Sequence, residues 1–594
     1  MPSILFCQSR RARLAPILIV SLIATLWLTA EQTLAGPKPK RKKGQAVGKL
    51  ALAPLPPRSA LLKPEDWQRA PLTPVEPGEI DRLIAGELRQ SKIVPAPLTS
   101  DEQFIRRATL DLTGELPTPS ELQQFLTDSR PDKRARLIDR LLNSDAYARH
   151  WARYWREVVS GHLADQRGVF VLGRIFENWM VHELKANHSW GDIARAMITA
   201  TGEMRFNEPQ KNGQAFFLAA HRGKDAAEEQ AAETSRVFLG IQIQCAQCHD
   251  HKTAQWKRVQ FHELAGYFAR LRQRPVRETI EPKNNEQSKN KKKQFRVVGF
   301  ELISTRFGEH RMPDKKDPKK LLVTLPHYLN GDAPARNASD LQRRQALARE
   351  ITSKQNYWFA AAFVNRVWGV LMGQSFFEPV DDMGPGKEAV YPSVLTRLTG
   401  SFRGSNYDIK RLFRDIMNSE TYQRQVRLSE PTDHLHFAAA YPTRLPADAL
   451  WHALTNAIGG FPIPPMLARR LGKKAPRFMQ GFANLFQQEF DYDPSLKPDE
   501  VEGSITQALL LMNNPQINNR LQARGPTTLA RILRDHPDND DAVRQLYMRT
   551  LARKPTDREL DKCLAYIDNV GKRTEAFEDI FWTLINSTEF QTKR

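Results

Sequence analysis

Cysteine is scarce in this chain, and the scarcity limits the chemistry that the sequence can support. Four cysteines, Cys7, Cys245, Cys248 and Cys563, occur among 594 residues. A secreted domain that relies on disulfides for its stability needs a much higher density of them. Long apolar runs are also rare, because beyond the first 35 residues no segment is long and apolar enough to span a bilayer. These absences exclude a disulfide-rich scaffold and predict no transmembrane segment in the mature chain.

Acidic residues are in deficit as well. The chain has 67 Asp and Glu against 88 Lys and Arg, which gives a formal net charge of +21. A basic surface attracts anionic polymers, so an anionic polymer of the cell envelope is one candidate partner. The sequence contains no nucleic-acid recognition motif, and the chain is predicted to be exported, so no specific nucleic-acid partner is expected.

The first 35 residues have the pattern of a secretory signal peptide. Three arginines precede an apolar run at 14–30, and small residues end at Ala35. We predict cleavage there, which leaves a soluble mature chain that begins at Gly36 in the periplasm or cell envelope. An uncleaved membrane anchor is the alternative, since the apolar run is close to the shortest length that spans a bilayer.

Apolar residues recur at 3.6-residue spacing along most of the remaining chain. This pattern predicts a mainly α, multi-helical two-domain protein with a small strand-containing insertion. The predicted segments are a signal peptide at 1–35, a basic Pro-rich linker at 36–75, a helical domain at 76–271, a variable insertion with short strands at 272–339, and a second helical domain at 340–594.

A short phrase occurs three times, at 143–147, 418–422 and 586–590. Each copy has Asn-Ser after an apolar helix end and an aromatic residue three positions after the serine. Serine is a favoured residue at helix N-termini, so the phrase predicts a helix–helix corner in which serine caps and the aromatic residue is buried.

The chain contains one Cys-x-x-Cys-His motif, formed by Cys245, Cys248 and His249. This spacing is typical of covalent haem c attachment. The two thiols reach the two vinyl groups of the porphyrin, and the adjacent imidazole binds the iron. The flanking segments 238–243 and 261–271 are apolar at helical spacing, so the sequence predicts that their apolar faces cover the haem.

Other uses of the same cysteines remain open. With His251 and His262 they form a set of two thiolates and two imidazoles that suits tetrahedral zinc. A redox dithiol or a structural disulfide is a further alternative. His262 could also provide the sixth ligand of a haem iron, although a histidine beside an apolar stripe is more often structural.

A cluster of carboxylates provides a different hypothesis. Glu378, Asp381 and Asp382 lie close together in sequence, and paired carboxylates can divide acid and base roles in a hydrolase acting on anionic polymers. The same residues can instead organise a turn before Met-Gly-Pro.

The chain resembles planctomycete proteins in which a cytochrome-c-like domain of unknown function precedes a planctomycete-specific C-terminal domain. The stretches that carry the resemblance are 106–114 (RRATLDLTG), 238–251 (FLGIQIQCAQCHDH), 362–368 (AFVNRVW), 378–385 (EPVDDMGP), 444–450 (RLPADAL) and 511–515 (LMNNP). The resemblance implies an exported bacterial protein with a cytochrome c relation, and it brings no assured activity. In this chain Lys252 and Thr253 replace the Pro-Phe that usually follows His251 in the family.

The sequence therefore leaves three hypotheses for the function of the protein. The first is a c-type haem protein that transfers electrons to a redox partner protein or senses redox state. The second is an envelope scaffold with a structural metal or disulfide at the cysteines, and the third is the carboxylate-based hydrolase.

Overall fold

The structure is a computed structural model, and it describes most of the chain after the linker. The described residues are 70–161, 166–250, 256–280, 294–329, 332–384, 387–426, 437–461, 475–497 and 500–593. The predicted signal peptide at 1–35, its cleavage site, and residues 36–69 of the predicted linker lie outside the described residues.

Helices dominate the described residues, and the prediction of a mainly α fold is confirmed. Helices α1 to α15 are Glu79–Gln90, Asp101–Thr113, Pro119–Thr127, Lys133–Leu142, Asp145–Ser160, Gln166–Lys185, Trp190–Thr199, Phe216–Ala219, Ala226–Leu239, Arg258–Ala265, Asp340–Ile351, Tyr357–Met372, Pro392–Gly404, Ile409–Met417 and Ala447–Ile458. Helices α16 to α23 are Ala475–Phe490, Ile505–Asn513, Pro515–Leu521, Thr528–Asp535, Asn539–Thr550, Asp557–Val570, Arg573–Ile585 and Thr588–Gln591. None of the helices in these ranges has the length and apolar character that a bilayer span requires.

Strands are few in the described residues, and only β2 and β3 are long. Strands β1 to β7 are Gly202–Arg205, Leu271–Ile280, Gln294–Ser304, His310–Pro313, Leu321–Thr324, Thr443–Arg444 and Thr592–Lys593. The strands β1, β3 and β2 form an antiparallel sheet in that order, while β4 pairs with β5 and β6 with β7. The four strands β2 to β5 lie in or at the edge of the predicted insertion, which is thereby confirmed.

Strand β1 was not predicted, because it lies in a segment whose sequence pattern is helical. Pairing with β3 stabilises this strand. The register runs from Gly202 opposite Leu302 to Arg205 opposite Gly299. A Cβ at Gly299 would lie 2.1 Å from the Met204 carbonyl oxygen, so glycine permits this close approach of the two strands.

The predicted serine hydrogen bonds form at all three Asn-Ser phrases, but a helix follows only Ser144 and Ser587, whereas Ser419 is followed by a turn. In each corner the serine Oγ accepts a hydrogen bond from the backbone N–H of the aromatic residue and donates one to the carbonyl three positions before. The pairs are Ser144 with Tyr147, Ser419 with Tyr422, and Ser587 with Phe590, at 3.1, 3.2 and 3.2 Å. All three aromatic side chains are buried.

Two hydrophobic cores organise the fold. The first core runs from Ile80 to Ala438 along the chain and also takes in Met548. The second core consists mainly of residues between Leu445 and Phe590. The first core therefore draws helices from both the 76–271 and the 340–594 ranges, because helix α12 packs directly against helix α9.

Candidate functional site

The Cys-x-x-Cys-His motif begins on a 3₁₀ turn, Gln244–Gln247, between helices α9 and α10; Cys248 is the C-terminal cap of this turn and His249 follows it. Helix α9 ends at Gly240, whose φ of 64° lies in the left-handed region that favours glycine. The Met383 N–H donates to the Gly240 carbonyl at 2.7 Å, and a Cβ at Gly240 would lie 2.6 Å from the Met383 sulfur. Ile241 and Ile243 are buried, so they anchor the chain in the first core immediately before the turn.

Both thiols of the motif are exposed and free. Cys245 lies within the 3₁₀ turn and Cys248 is its C-terminal cap, three residues later. Between them, Ala246 is fully buried and fixes which side of the turn faces the protein. The turn therefore presents two thiols together to solvent.

The imidazole of His249 is exposed beside these thiols, and its Nδ1 lies 2.7 Å from the Asp250 carbonyl oxygen. A carbonyl oxygen only accepts hydrogen bonds, so Nδ1 carries the hydrogen and Nε2 keeps its lone pair. In the part of the chain that the structure describes, no protein group hydrogen bonds to His249 Nε2. Histidines that bind metals usually donate from the second ring nitrogen in this way.

His262 is buried beneath the turn. Its Nε2 lies 3.0 Å from the Gln247 carbonyl oxygen, and its Nδ1 lies 2.8 Å from His310 Nε2. Because the carbonyl can only accept, His262 donates to Gln247 and accepts from His310. Burial lowers the pKa of His262 to about 4 and that of His310 to about 3, so both imidazoles are neutral at pH 7. His262 therefore holds the turn in place with both ring nitrogens engaged.

Arg258 fixes the same turn from helix α10. Its Nε donates to the Gln247 carbonyl at 3.3 Å, and its backbone N–H donates to Asp250 Oδ1 at 3.0 Å. This backbone hydrogen bond, with the charge of Lys315, lowers the pKa of Asp250, although partial burial opposes it. Asp250 is thus ionised at neutral pH, next to the exposed His249.

The zinc set named from the sequence is not assembled by the described residues. His251 lies outside them, and both ring nitrogens of His262 are engaged with Gln247 and His310. The described ranges contain no group of three or more His, Cys, Asp or Glu side chains that could hold a metal ion.

The apolar faces that flank the motif are not free to cover a porphyrin. Phe238 and Leu239 on α9, and Phe261 and Leu264 on α10, are fully buried in the first core. The expectation that a haem lies against these faces therefore does not hold. The sequence predicts these two amphipathic segments correctly, but their apolar faces are buried in the first core.

Asp381 supports the cysteine motif from a distant part of the chain, the segment that begins at Glu378. It accepts hydrogen bonds from Arg236 Nη1 and Gln242 Nε2, both at 2.9 Å, and Arg366 Nη2 lies 3.7 Å away. Burial raises the pKa of Asp381, but the charges of Arg366 and Arg236 outweigh it and the pKa falls below its ordinary value. Asp381 is therefore an ionised, buried anchor, since Gln242 leads directly into the turn.

The three carboxylates proposed for a hydrolase do not converge. Asp382 forms an ion pair with Lys387 at the surface, whereas Asp381 is buried in its arginine pairs. Glu378 accepts from the Ser375 backbone N–H at 3.2 Å and lines a separate cleft. Their arrangement matches the simpler interpretation, in which this segment organises a turn.

That cleft has a volume of about 1090 Å³ and lies where the two cores meet. Its wall includes His150, Arg153, Asp448 and Asp491, which the sequence analysis did not identify. They come from segments far apart in the chain, so no local motif marks them. Tyr147, Trp151 and Trp155 form a buried stripe on α5, and the polar positions between those residues were the available signal.

Two family models match the chain. Residues 79–273 match PSCyt2, described as a protein of unknown function (DUF1549), and residues 343–463 match PSD1, described as a protein of unknown function (DUF1553). Neither a curated protein nor a solved structure matches the chain. The first match contains the Cys-x-x-Cys-His turn, and the second contains the Asp381 segment that supports it. The chain thus carries two domains of unknown function in tandem, and the candidate site is built from both.

Proposed function

We propose that the protein is an exported c-type haem protein that transfers electrons or senses redox state in the cell envelope. In this proposal Cys245 and Cys248 attach the haem and His249 ligates its iron. The observation that carries the proposal is the His249 geometry. Its Nδ1 is bonded to the Asp250 carbonyl, its Nε2 is left as the basic nitrogen, and two free thiols lie exposed immediately before it.

The donor set fits the chemistry of attachment. Each thiol adds across one vinyl group, so that a C–S bond forms and the thiol hydrogen moves to the neighbouring carbon. Haem attached in this way supplies one-electron chemistry, tuned by its axial ligands, hydrogen bonds and exposure. The hydrogen bond from His249 Nδ1 to Asp250 fixes the ring and raises the basicity of Nε2.

The surrounding residues hold the turn rigid. His262 and Arg258 both donate to the Gln247 carbonyl between the two cysteines, and Asp381 binds Gln242 just before them. A rigid turn keeps both thiols and the imidazole in one arrangement without reordering when they react. Since His262 is committed to this role, we infer that it does not act as the second axial ligand.

The expected environment of the haem is open on the side of the thiols, because the flanking apolar faces are already buried. An exposed attachment site suits exchange of electrons with a redox partner protein, or access of a small ligand to the iron.

The test is expression with the N-terminal segment intact in a host that has haem-attachment machinery. The double variant Cys245→Ala, Cys248→Ala should lose covalent haem staining, whereas Cys563→Ala, the matched control, should keep it. His249→Ala should retain attachment but change the absorption spectrum. Wild-type protein with no covalent haem and one bound zinc ion would overturn the proposal and favour the zinc set.

A further inference from the structure

A second feature of the molecule lies away from the cysteine motif, in the cleft between the two cores. The cleft is lined by residues of helices α2, α5, α6, α12, α15 and α16, by the segment 491–497 and by Val501. Its volume of about 1090 Å³ is slightly larger than the usual range for ligand sites, which is roughly 300–1,000 Å³. Ligand sites form preferentially at the interface between domains, and they contain a few polar groups that point into the same cavity.

One wall is a rigid network of ion pairs on helices α5, α6 and α15. Arg153 Nη1 lies 3.0 Å from Asp448 Oδ2, and Arg153 Nε lies 3.7 Å from Glu177 Oε1. His150 Nδ1 lies 3.4 Å from the same Asp448 oxygen, and Arg156 pairs with Glu177. Because these groups neutralise one another, they present fixed hydrogen-bonding groups with little net charge.

A second part of the lining comes from one face of helix α16 and from Asp491, the residue after it. Asn484, Gln487, Gln488 and Asp491 follow the i, i+3, i+4, i+7 spacing that places residues on one side of a helix, and all four line the cleft. Within the described ranges, no protein group hydrogen bonds to the side-chain amides of the first three. The helix is held by its other side, because Phe482, Phe486 and Phe490 are buried in the second core.

The amides, charges and aromatic rings that line the cleft indicate which class of ligand it can bind. An amide both donates and accepts hydrogen bonds, which complements hydroxyl groups because they also do both. Among the described residues that line the cleft, seven Lys and Arg face seven Asp and Glu, so no excess of either sign is left for an anionic or cationic polymer. Tyr154 and Tyr492 also line the cleft and provide aromatic surface for the apolar faces of sugar rings.

We propose that this cleft binds a neutral oligosaccharide, through the amide face of helix α16 and the ion-pair network. This function is separate from haem attachment, because the cleft shares none of its lining residues with the cysteine turn. It also differs from hydrolysis of an anionic polymer, because the charges of the cleft are balanced.

The state of Asp491 is consistent with this assignment. Partial removal from bulk water, followed by the negative charge of Glu157, raises the pKa of Asp491 to about 7. Asp448 behaves in the opposite way, since the nearby His150 and the charge of Arg153 outweigh burial and hold its pKa far below the ordinary value. Near neutral pH Asp491 is therefore divided between its protonated and ionised forms, whereas Asp448 stays ionised.

The experiment is binding of the full-length purified protein to a defined set of probes, measured by calorimetry. The probes are cellohexaose, mannohexaose and xylohexaose as neutral oligosaccharides, a heparin-derived hexasaccharide as an anionic one, and a mixed hexapeptide library. We expect at least one neutral oligosaccharide to bind and the heparin fragment and peptides not to bind.

A matched pair of variants tests the surface that is involved. Asn484→Ala with Gln487→Ala removes two amides from the cleft and should weaken binding about tenfold, as expected for two lost neutral hydrogen bonds. Gln123→Ala with Gln124→Ala removes two exposed amides from helix α3 and should leave binding unchanged. Circular dichroism verifies that both proteins fold. Binding of the heparin fragment or peptides alone, binding of no neutral probe, or equal affinities for both variants would overturn the proposal.

Discussion

Two adjacent aspartates illustrate how much the surroundings of a residue decide its role. Asp381 and Asp382 are indistinguishable in the sequence, where both belonged to one catalytic hypothesis. In the structure Asp381 is almost fully buried against Arg236 and Arg366, whereas Asp382 pairs with Lys387 at the surface. Sequence periodicity does not separate them, because neither lies on a helix or strand.

We predict that Asp381→Asn lowers the free energy of unfolding by about 3 kcal/mol or more, because it leaves buried guanidinium charge without its carboxylate. The matched control Asp382→Asn should cost about 1 kcal/mol or less, since its ion pair is partly exposed. Urea unfolding monitored by circular dichroism measures both. Equal losses in the two variants would show that Asp381 is not a buried anchor.

The His262–His310 pair predicts a dependence of stability on pH. Burial lowers their pKa values to about 4 and about 3, from about 6.5 in the unfolded chain. Between pH 6.5 and 4 the unfolded state therefore binds more protons than the folded state. The free energy of unfolding then falls as pH is lowered, by up to about 1.4 kcal/mol per pH unit for each histidine.

The comparison is with His262→Gln combined with His310→Gln, followed by urea unfolding at pH 7.0, 6.0 and 5.0. The double variant should be less stable at pH 7.0 but lose less stability on acidification than the wild type. Parallel pH curves for the two proteins would contradict the neutral, buried state of these histidines.

Among single residues, functional groups that are adjacent in the sequence could be predicted, whereas groups that only tertiary packing brings together could not. Cys245, Cys248 and His249 stand together in the sequence, and so their motif could be recognised at once. His310, which fixes His262, is 48 residues further along the chain on strand β4. A contact between residues so far apart in the chain depends on tertiary packing, so no local sequence pattern predicts it.

At the scale of elements, the Asn-Ser corners are the most regular feature of the fold. The asparagine of each corner donates to the carbonyl four positions before, at 3.0 Å for Asn143 and Asn418 and 2.9 Å for Asn586. Together with the serine hydroxyl, it satisfies the carbonyls that a helix end leaves without partners. This repeated chemistry explains why the three corners share the same residues.

Replacing the corner serine by alanine removes a hydrogen bond to the backbone of the next element. We predict a loss of about 1 kcal/mol in the free energy of unfolding for Ser144→Ala, as for other N-cap positions. Ser419→Ala should cost more, because its site is buried and the Tyr422 N–H would lose its partner. Equal unfolding midpoints for wild type and both variants would contradict the capping role.

Most helices were predictable because amphipathic periodicity is a local property of the sequence. Strand β1 was not, since Gly202–Arg205 becomes a strand only by pairing with β3 almost one hundred residues later. The apolar faces of α9 and α10 show a related limit. The sequence identified these faces, but what covers each of them depends on the arrangement of the whole chain.

At the scale of the whole molecule, two domains of unknown function share one candidate site. The cysteine turn lies in the first matched domain, at 79–273, and its Asp381 anchor lies in the second, at 343–463. The cleft between the cores likewise collects side chains from distant segments. Neither arrangement follows from composition or spacing, because each needs the relative placement of elements far apart in the chain.

Haem attachment at the exposed cysteine turn is best tested by the intact mass of the wild-type protein after export in a haem-attaching host, combined with its pyridine haemochrome spectrum. We expect a mass increase of one haem per chain that survives denaturation, with the spectrum of a haem bound through two thioether bonds. A mass equal to that of the unmodified chain, with Cys245 and Cys248 still free to react with a thiol reagent, would contradict it.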